Sequence, residues 1–212
     1  MAGKIADIRK AYSQKKLSEA KAGRDPLKQF AKWWKQALRS NLEEANAMVL
    51  ATASPDGEPS ARIVLLKGFN EKGFIFFTNY NSFKGKQLSE NPKACLVFFW
   101  KELERQIRIT GLAEKISEEA SNEYFYSRPV DSQLGAIASP QSQVIESREW
   151  LDEKFKKLKK EKDSIQRPSN WGGYIVKPLI IEFWQGRPGR LHDRLQYTLQ
   201  KNGEWKMERL AP

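Results

Sequence analysis

Residues 48–79 read MVLATASPDGEPSARIVLLKGFNEKGFIFFTN. Three apolar runs, MVLATAS, ARIVLLKGF and FIFFTN, are separated by the turn-forming stretches PDGEPS and NEKG, a pattern that predicts a strand meander. The same grammar extends outward. Ala94–Trp100 and Arg105–Ile116 read as further strands, the latter setting Ile107 and Ile109 against Gln106, Arg108 and Thr110. Trp171–Val176 and Leu179–Gln185 follow, and Asn202-Gly203 is a two-residue turn joining RLQYTLQK to EWKMERL in a closing hairpin.

Helices are sparser. Asp25-Pro26 combines a cap with proline at the first turn, and Leu27, Phe30, Ala31, Trp34 and Leu38 form an apolar stripe predicted to pack on a sheet. Residues 118–127 and 147–161 read as two more helices, with a loop rich in Ser, Gln and Pro between them. Many short antiparallel strands with few helices predict a mainly β, α+β fold, a barrel or strongly bent sheet with helices packed outside. A parallel doubly wound sheet is disfavoured. Neither GxGxxG nor a P-loop occurs, so a nucleotide-like cofactor would be held by side chains and strand edges.

The 212 residues suit a single domain over 25–212, preceded by a loosely held arm at 1–24 with a helical stretch around Ile5–Tyr12. A net charge of +11 favours anionic partners. Much of it lies in Lys154–Lys162, where Leu151, Phe155 and Leu158 recur at helical spacing and the lysines read as a solvated face; no nucleic-acid motif accompanies them. The lone Cys95 excludes an intramolecular disulfide and reads as a buried small hydrophobe. The polar start and the absence of a spanning segment make the cytoplasm the default and a membrane partner unexpected. With one His and one Cys, no metal site is expected.

Residues 182–194, EFWQGRPGRLHDR, place Arg190, His192 and Arg194 at alternate positions after a Gly-Pro-Gly-like turn. On a strand the three would share one face, two guanidiniums flanking the chain's only imidazole, a face suited to an anion that carries a ring. Arg62 and Lys67 bracket four apolar residues and would face opposite sides of a strand unless a bulge or strand end intervenes. Thr78, Asn79, Ser82 and Lys84 lie in a polar loop that could cradle a phosphate or be a plain turn. Gln106 points outward from an apolar strand. Tyr124 and Arg128 share a helix face, with Ser132 beyond Pro129. Gln141 and Ser142 stand in a polar loop without evident structural demand, and Trp184 is core or a flat wall for an aromatic ligand.

RIVLLK at 62–67, FFTNYNS-K at 76–84, LERQIRI at 103–109, YFYSRPVDSQLGA at 124–136, SPQSQVI at 139–145, WGGY at 171–174, EFWQGRPGRLHDR at 182–194 and the terminal ERLAP together resemble the pyridoxamine (pyridoxine) 5'-phosphate oxidase family over essentially the whole chain. The resemblance implies an antiparallel FMN-binding split β-barrel, homodimeric, with flavin sites at the subunit interface. It implies FMN-dependent oxidation of pyridoxine 5'-phosphate and pyridoxamine 5'-phosphate by O2 to pyridoxal 5'-phosphate and hydrogen peroxide. By resemblance FMN is held by Arg62, Ile63, Val64, Leu65, Leu66, Lys67, Phe77, Thr78, Lys84, Gln106, Gln141, Ser142, Trp184 and Arg194. Substrate falls to Arg9, Tyr12, Lys67, Tyr124, Arg128, Ser132, Arg190 and His192, the last two being the catalytic pair. Arg9 and Tyr12 match a mobile arm that closes over substrate. Phe77 and Phe83 depart from the Tyr and Arg common in the family, and Lys86 is a candidate replacement cation. The alternatives are another flavin enzyme on the same barrel, of the reductase type, a non-catalytic carrier of pyridoxal 5'-phosphate, and, from a different class, a nucleic-acid module using the lysine-rich helix.

Overall fold

The computed structural model describes residues 5–7, 11–161 and 165–212. Among these, six α-helices and nine strands run in the order α1 (Glu19–Ala22), α2 (Pro26–Leu38), β1 (Ala47–Ala53), β2 (Pro59–Leu65), β3 (Gly68–Asn70), β4 (Gly73–Asn79), α3 (Phe83–Glu90), β5 (Lys93–Trp100), β6 (Arg105–Lys115), α4 (Glu118–Ser127), α5 (Val130–Ala138), α6 (Arg148–Lys160), β7 (Trp171–Gln185), β8 (Asp193–Leu199) and β9 (Trp205–Leu210). The strands follow the path β2-β1-β5-β6-β7-β4-β3, with β8 on β7 and β9 on β8. The strands expected at 48–79 are present as β1 to β4, but not as one meander: the run ARIVLLKGF divides into β2 and β3, and the neighbouring pairs β1–β2 and β3–β4 lie at opposite ends of the strand path.

Other elements depart from the expectation as well. Residues 83–90 form α3 instead of a polar loop, because Ser82 caps the helix by accepting from Gly85 N–H. Residues 130–138 form α5 inside the Ser- and Pro-rich stretch. Pro129 is its N-cap, so the residue that stops α4 also starts the next helix, and Leu134 and Ala138 give it a buried side. The two strands expected at 171–185 are one strand. Pro178 falls between Trp171–Val176, which pair with β4, and Ile180–Gln185, which pair with β8, so neither ladder needs its missing N–H.

The chain divides into two compact units, residues 1–49, 95–110 and 178–212, and residues 50–94 and 111–177. In the first, Asp25 accepts from the Leu27 and Lys28 amides and starts α2 as expected. The buried stripe of α2 is rotated from the predicted one: Phe30, Trp33 and Ala37 are buried, while Leu38 is exposed. The cause is an aromatic platform on the strands, where Phe30 meets Phe98 and Trp33 meets Phe183 edge-on. Full burial of Phe30, Phe98 and Phe183 stabilises this packing by roughly 1.5–3 kcal/mol per ring. The closing hairpin is as expected, with Leu199 opposite Trp205 and Gly203 in the left-handed region at φ 83°. Cys95 is half-buried, not fully buried, because it lies on the opposite face of β5 from Ala94, Leu96 and Phe98; burial pushes its thiol up, so it is no activated nucleophile.

In the second unit Phe76 and Tyr174 stack across the β4–β7 ladder. Residues 148–160 form α6 with no fully buried residue; Lys156, Lys157, Lys159 and Lys160 are exposed as expected, Lys154 is half-buried over the Trp150 ring, and Lys162 lies outside the described residues. Among the described residues no helix is long and apolar enough to cross a membrane.

Candidate functional site

The second unit holds a cavity of about 760 Å³. Arg62, Ile63, Val64 and Leu65 of β2 line one side, and Lys67 joins them because the strand ends at Leu65, releasing the alternation that would have opposed it to Arg62. Phe77, Thr78, Lys84, Tyr124, Arg128, Ser132 and Gln141 line the rest. Leu66 is buried, and neither it nor Ser142 is among the lining residues. Lys86 is exposed on α3 and does not reach the cavity wall.

Lys84 sits in the first turn of α3 and is nearly buried. That turn comes close to the end of β4 only because residue 85 is glycine: a Cβ there would lie 2.2 Å from the Tyr80 carbonyl oxygen. The ammonium donates to Gln141 Oε1 at 3.1 Å, Ser82 Oγ at 3.2 Å and Thr78 Oγ1 at 3.3 Å. Among the described residues no carboxylate pairs with it. Burial, with Arg62 adding repulsion, pushes its pKa down to about 8. Arg62 donates to Thr52 Oγ1 at 2.7 Å and the Leu50 carbonyl at 3.1 Å, and burial lowers its pKa. Arg128 lies 4.7 Å from the Trp171 ring centroid and its Nη1 is buried without a partner; burial lowers its pKa too. Three poorly compensated cations around one cavity call for an anion.

An aromatic wall completes the cavity. Phe77 stacks on Tyr124 with centroids 3.9 Å apart and on Trp171 at 5.5 Å, within 23° and 16° of parallel. Trp171, expected as the start of a strand and as part of the WGGY motif, is the wall residue to which the sequence assigned no role at the site. The residues therefore fit FMN: a flat apolar wall for the ring, and Lys84, Arg62 and the polar groups of Thr78 and Gln141 for the phosphate.

The remaining predicted residues, Tyr12, Gln106, Trp184, Arg190, His192 and Arg194, belong to the first unit, and Arg9 lies outside the described residues. The single face expected for Arg190, His192 and Arg194 does not form. Gly189 and Arg190 are both left-handed, at φ 64° and 61°, and Pro188–Arg190 is a 3-10 turn, so β8 begins only at Asp193. His192 is placed by contacts instead of by strand period. Its Nδ1 accepts the Arg187 N–H at 3.1 Å, and its ring lies 4.6 Å from Trp184 and 5.7 Å from Tyr12. Nδ1 being an acceptor, the neutral ring carries its proton on Nε2. Burial and then Arg190 lower its pKa, which favours that neutral form. Arg194 donates from Nε to the buried Glu182, and Gln106 is half-buried on the outward side of β6.

A cationic cavity with an aromatic wall on an antiparallel strand framework defines a protein that binds a phosphorylated, ring-bearing cofactor. The chain belongs to the pyridoxamine 5'-phosphate oxidase family: residues 34–161 match the family model described as Pyridoxamine 5'-phosphate oxidase, and residues 171–212 match that described as Pyridoxine 5'-phosphate oxidase C-terminal dimerisation region. The second match supports a homodimer. The pyridoxine/pyridoxamine 5'-phosphate oxidase of Trichormus variabilis is 56% identical over 98% of both chains. The crystal structure of PhzG from Burkholderia lata 383 in complex with tetrahydrophenazine-1-carboxylic acid superposes with a TM-score of 0.90 at 30% identity, covering 96% of this chain and all of that one. A pyridoxamine 5'-phosphate oxidase-related, FMN binding protein from Nostoc punctiforme shares the fold at 20% identity and a TM-score of 0.71, over 90% of this chain and all of that one. The fold class is the FMN-binding split β-barrel, as expected from the sequence.

Proposed function

We propose that the chain is an FMN-dependent oxidase that converts pyridoxine 5'-phosphate and pyridoxamine 5'-phosphate to pyridoxal 5'-phosphate, with O2 as acceptor and hydrogen peroxide as product. The observation that carries this reading is the buried, carboxylate-free Lys84 beside Arg62 and an Arg128 whose buried Nη1 has no hydrogen-bond partner, in a cavity walled by Phe77, Tyr124 and Trp171. Two phosphorylated rings match this distribution of charge and flat surface. FMN, when bound, supplies the hydride-accepting chemistry.

The protein's part is to bind and orient. Lys84, Arg62, Thr78 and Gln141 hold the cofactor phosphate, and Arg128, Lys67, Tyr124 and Ser132 hold the substrate phosphate. His192, neutral with Nε2–H outward from its Arg187 bond, donates a hydrogen bond to the substrate, and Arg190 beside it supplies positive charge. In this reading each complete site draws Gln106, Trp184, Arg190, His192 and Arg194 from one protomer and the cavity from its partner. Residues 25–212 act as one domain and residues 1–24 as an arm whose Tyr12 closes over substrate.

A reductase or a carrier without turnover is not favoured, given 56% identity to a curated oxidase against 30% to the phenazine-complexed structure. Purified protein should be yellow, and should release peroxide on addition of pyridoxine 5'-phosphate without any nicotinamide. A colourless protein, or a flavoprotein that turns over only with a nicotinamide donor, would overturn the reading.

A further inference from the structure

Glu104 stands directly after the 3-10 turn Lys101–Leu103 in a left-handed backbone conformation, φ 53° and ψ 44°, with only 2% of its surface exposed. Left-handed geometry favours glycine or asparagine, and a buried carboxylate needs several donors. Both demands are met by one arrangement. Its side-chain Oε2 accepts the backbone N–H of Ser13 at 2.9 Å and of Gln14 at 3.1 Å. Its main-chain carbonyl accepts Gly186 N–H at 2.8 Å and Gln185 Nε2 at 3.1 Å. One residue thus grips the N-terminal segment with its side chain and the strand end beside His192 with its backbone.

The residue next to that grip is Tyr12. Its ring packs on Gly186 and lies edge-on to Trp184 at 5.6 Å and to His192 at 5.7 Å. We infer that Glu104 is a positioning residue, a latch whose carboxylate seats Tyr12 over the Trp184–His192 pair by holding the two amides that follow it. The inference rests on the proposed oxidase for its kinetic consequence, but the latch itself is a statement about residues 12–14. Glu104 touches neither cofactor nor substrate in this assignment, and its effect passes through Tyr12.

The test uses the FMN-loaded protein. Hydrogen bonds to a charged acceptor are among the stronger ones, so Glu104→Ala should raise KM for pyridoxine 5'-phosphate about tenfold while leaving flavin content unchanged. Glu104→Gln keeps an acceptor oxygen and should stay within about threefold of the parent. In a Tyr12→Ala background Glu104→Ala should add nothing further, because the group it positions is gone. Trypsin cleavage after Lys15 and Lys16 should accelerate in Glu104→Ala, and this readout needs no activity. If the parent protein does not turn over, the proposed function has failed and the cleavage rate alone decides the latch. Equal factors on KM in both backgrounds, loss of flavin, or an unchanged cleavage rate would overturn it. Should Glu104→Ala not fold, Glu104→Asp, whose shorter side chain withdraws the carboxylate from both amides, carries the same two comparisons, and cleavage at the parent rate with parent KM in Glu104→Asp would overturn it as well.

Discussion

Glu182 holds Arg194 in place: the carboxylate is 3% exposed, takes Arg194 Nε at 2.7 Å on Oε1 and Arg108 Nη2 on Oε2, and leaves Arg194 Nη1 to donate to the Ala211 carbonyl at 2.7 Å. A carboxylate buried to that degree is tolerated because both oxygens meet a guanidinium. The pairing raises the pKa of Arg194, keeping it cationic. Since Arg194 is assigned to the flavin, Glu182→Gln should both destabilise the fold and loosen FMN. The loss is expected at about 1–3 kcal/mol, as both arginines are partly exposed and retain water. Urea unfolding of the flavin-free protein and an FMN titration measure the two effects; flavin affinity equal to the parent's would detach Glu182 from the cofactor.

Lys84 makes a prediction about pH. Its pKa falls from 10.5 to about 8 on folding, through burial first and Arg62 second. Between those two values the unfolded chain holds a proton that the folded chain has released, so flavin-free stability should rise with pH from about 8 to 10.5, by on the order of 3 kcal/mol at most. A bound phosphate favours the ammonium, so FMN affinity should move the other way, falling through the same window as binding takes up a proton. Lys84→Met should flatten both curves and, at neutral pH, stabilise the flavin-free protein while weakening FMN. Calorimetry in buffers of different ionisation enthalpy counts the proton; zero uptake near pH 9 would place the phosphate elsewhere.

The strands were legible in residues 48–79 and 193–210 because Gly57, Gly73 and Gly203 mark the turns β1–β2, β3–β4 and β8–β9 with conformations glycine supplies readily, whereas the β2–β3 break at Leu66-Lys67 carries no such signal. The helices α3 and α5 were not. Their periodicity is masked, in α3 by buried Lys84 and Gln87 and in α5 by a proline cap, and both are fixed by tertiary contacts that no local pattern encodes. At the site, residue types named the chemistry but their faces did not follow from spacing. Two consecutive left-handed residues at 189–190 broke the alternation that the reading of Arg190, His192 and Arg194 assumed. Glu104 and Glu182 gave no signal, because a positioning carboxylate looks like a surface one until its burial is known.

His192 is the chain's only histidine, which makes its protonation directly observable. Its pKa lies below 6.5, lowered by burial and by Arg190, and its Nδ1 accepts the Arg187 amide. The imidazole is therefore neutral at pH 7 as the Nε2–H tautomer. Because the unfolded ring picks up its proton at a higher pH than the folded one, the stability contribution is complete above 6.5 and lost as pH falls below it. Nitrogen chemical shifts of the imidazole should report this tautomer and a midpoint under 6.5, with kcat/KM falling as the ring protonates. A midpoint above 6.5 or an Nδ1–H tautomer would contradict the assignment. His192→Ala and Arg190→Ala should impair turnover far more than flavin retention, the reverse of Lys84→Ala, and equal loss of flavin in all three would remove that division of labour.

Gly186 separates a steric effect from an electrostatic one at the arm. A Cβ at this position would lie 2.7 Å from Tyr12 Cγ and 2.9 Å from its Cβ; a rotamer change can move Cγ, but Cβ is fixed by the backbone and stays in the way. Gly186→Ala must therefore lift the Tyr12 segment from Trp184 and His192, while the Gly186 N–H to Glu104 carbonyl bond is chemically untouched. Overpacking of this kind costs about 1–3 kcal/mol, which sets the expected rise in KM at about tenfold. The arm can absorb the displacement, so the urea midpoint should stay near the parent's, and flavin content should not change. A parent-like KM in Gly186→Ala would show that the Tyr12 contact with this cluster does not contribute to holding substrate, and would move the arm's role away from residue 12.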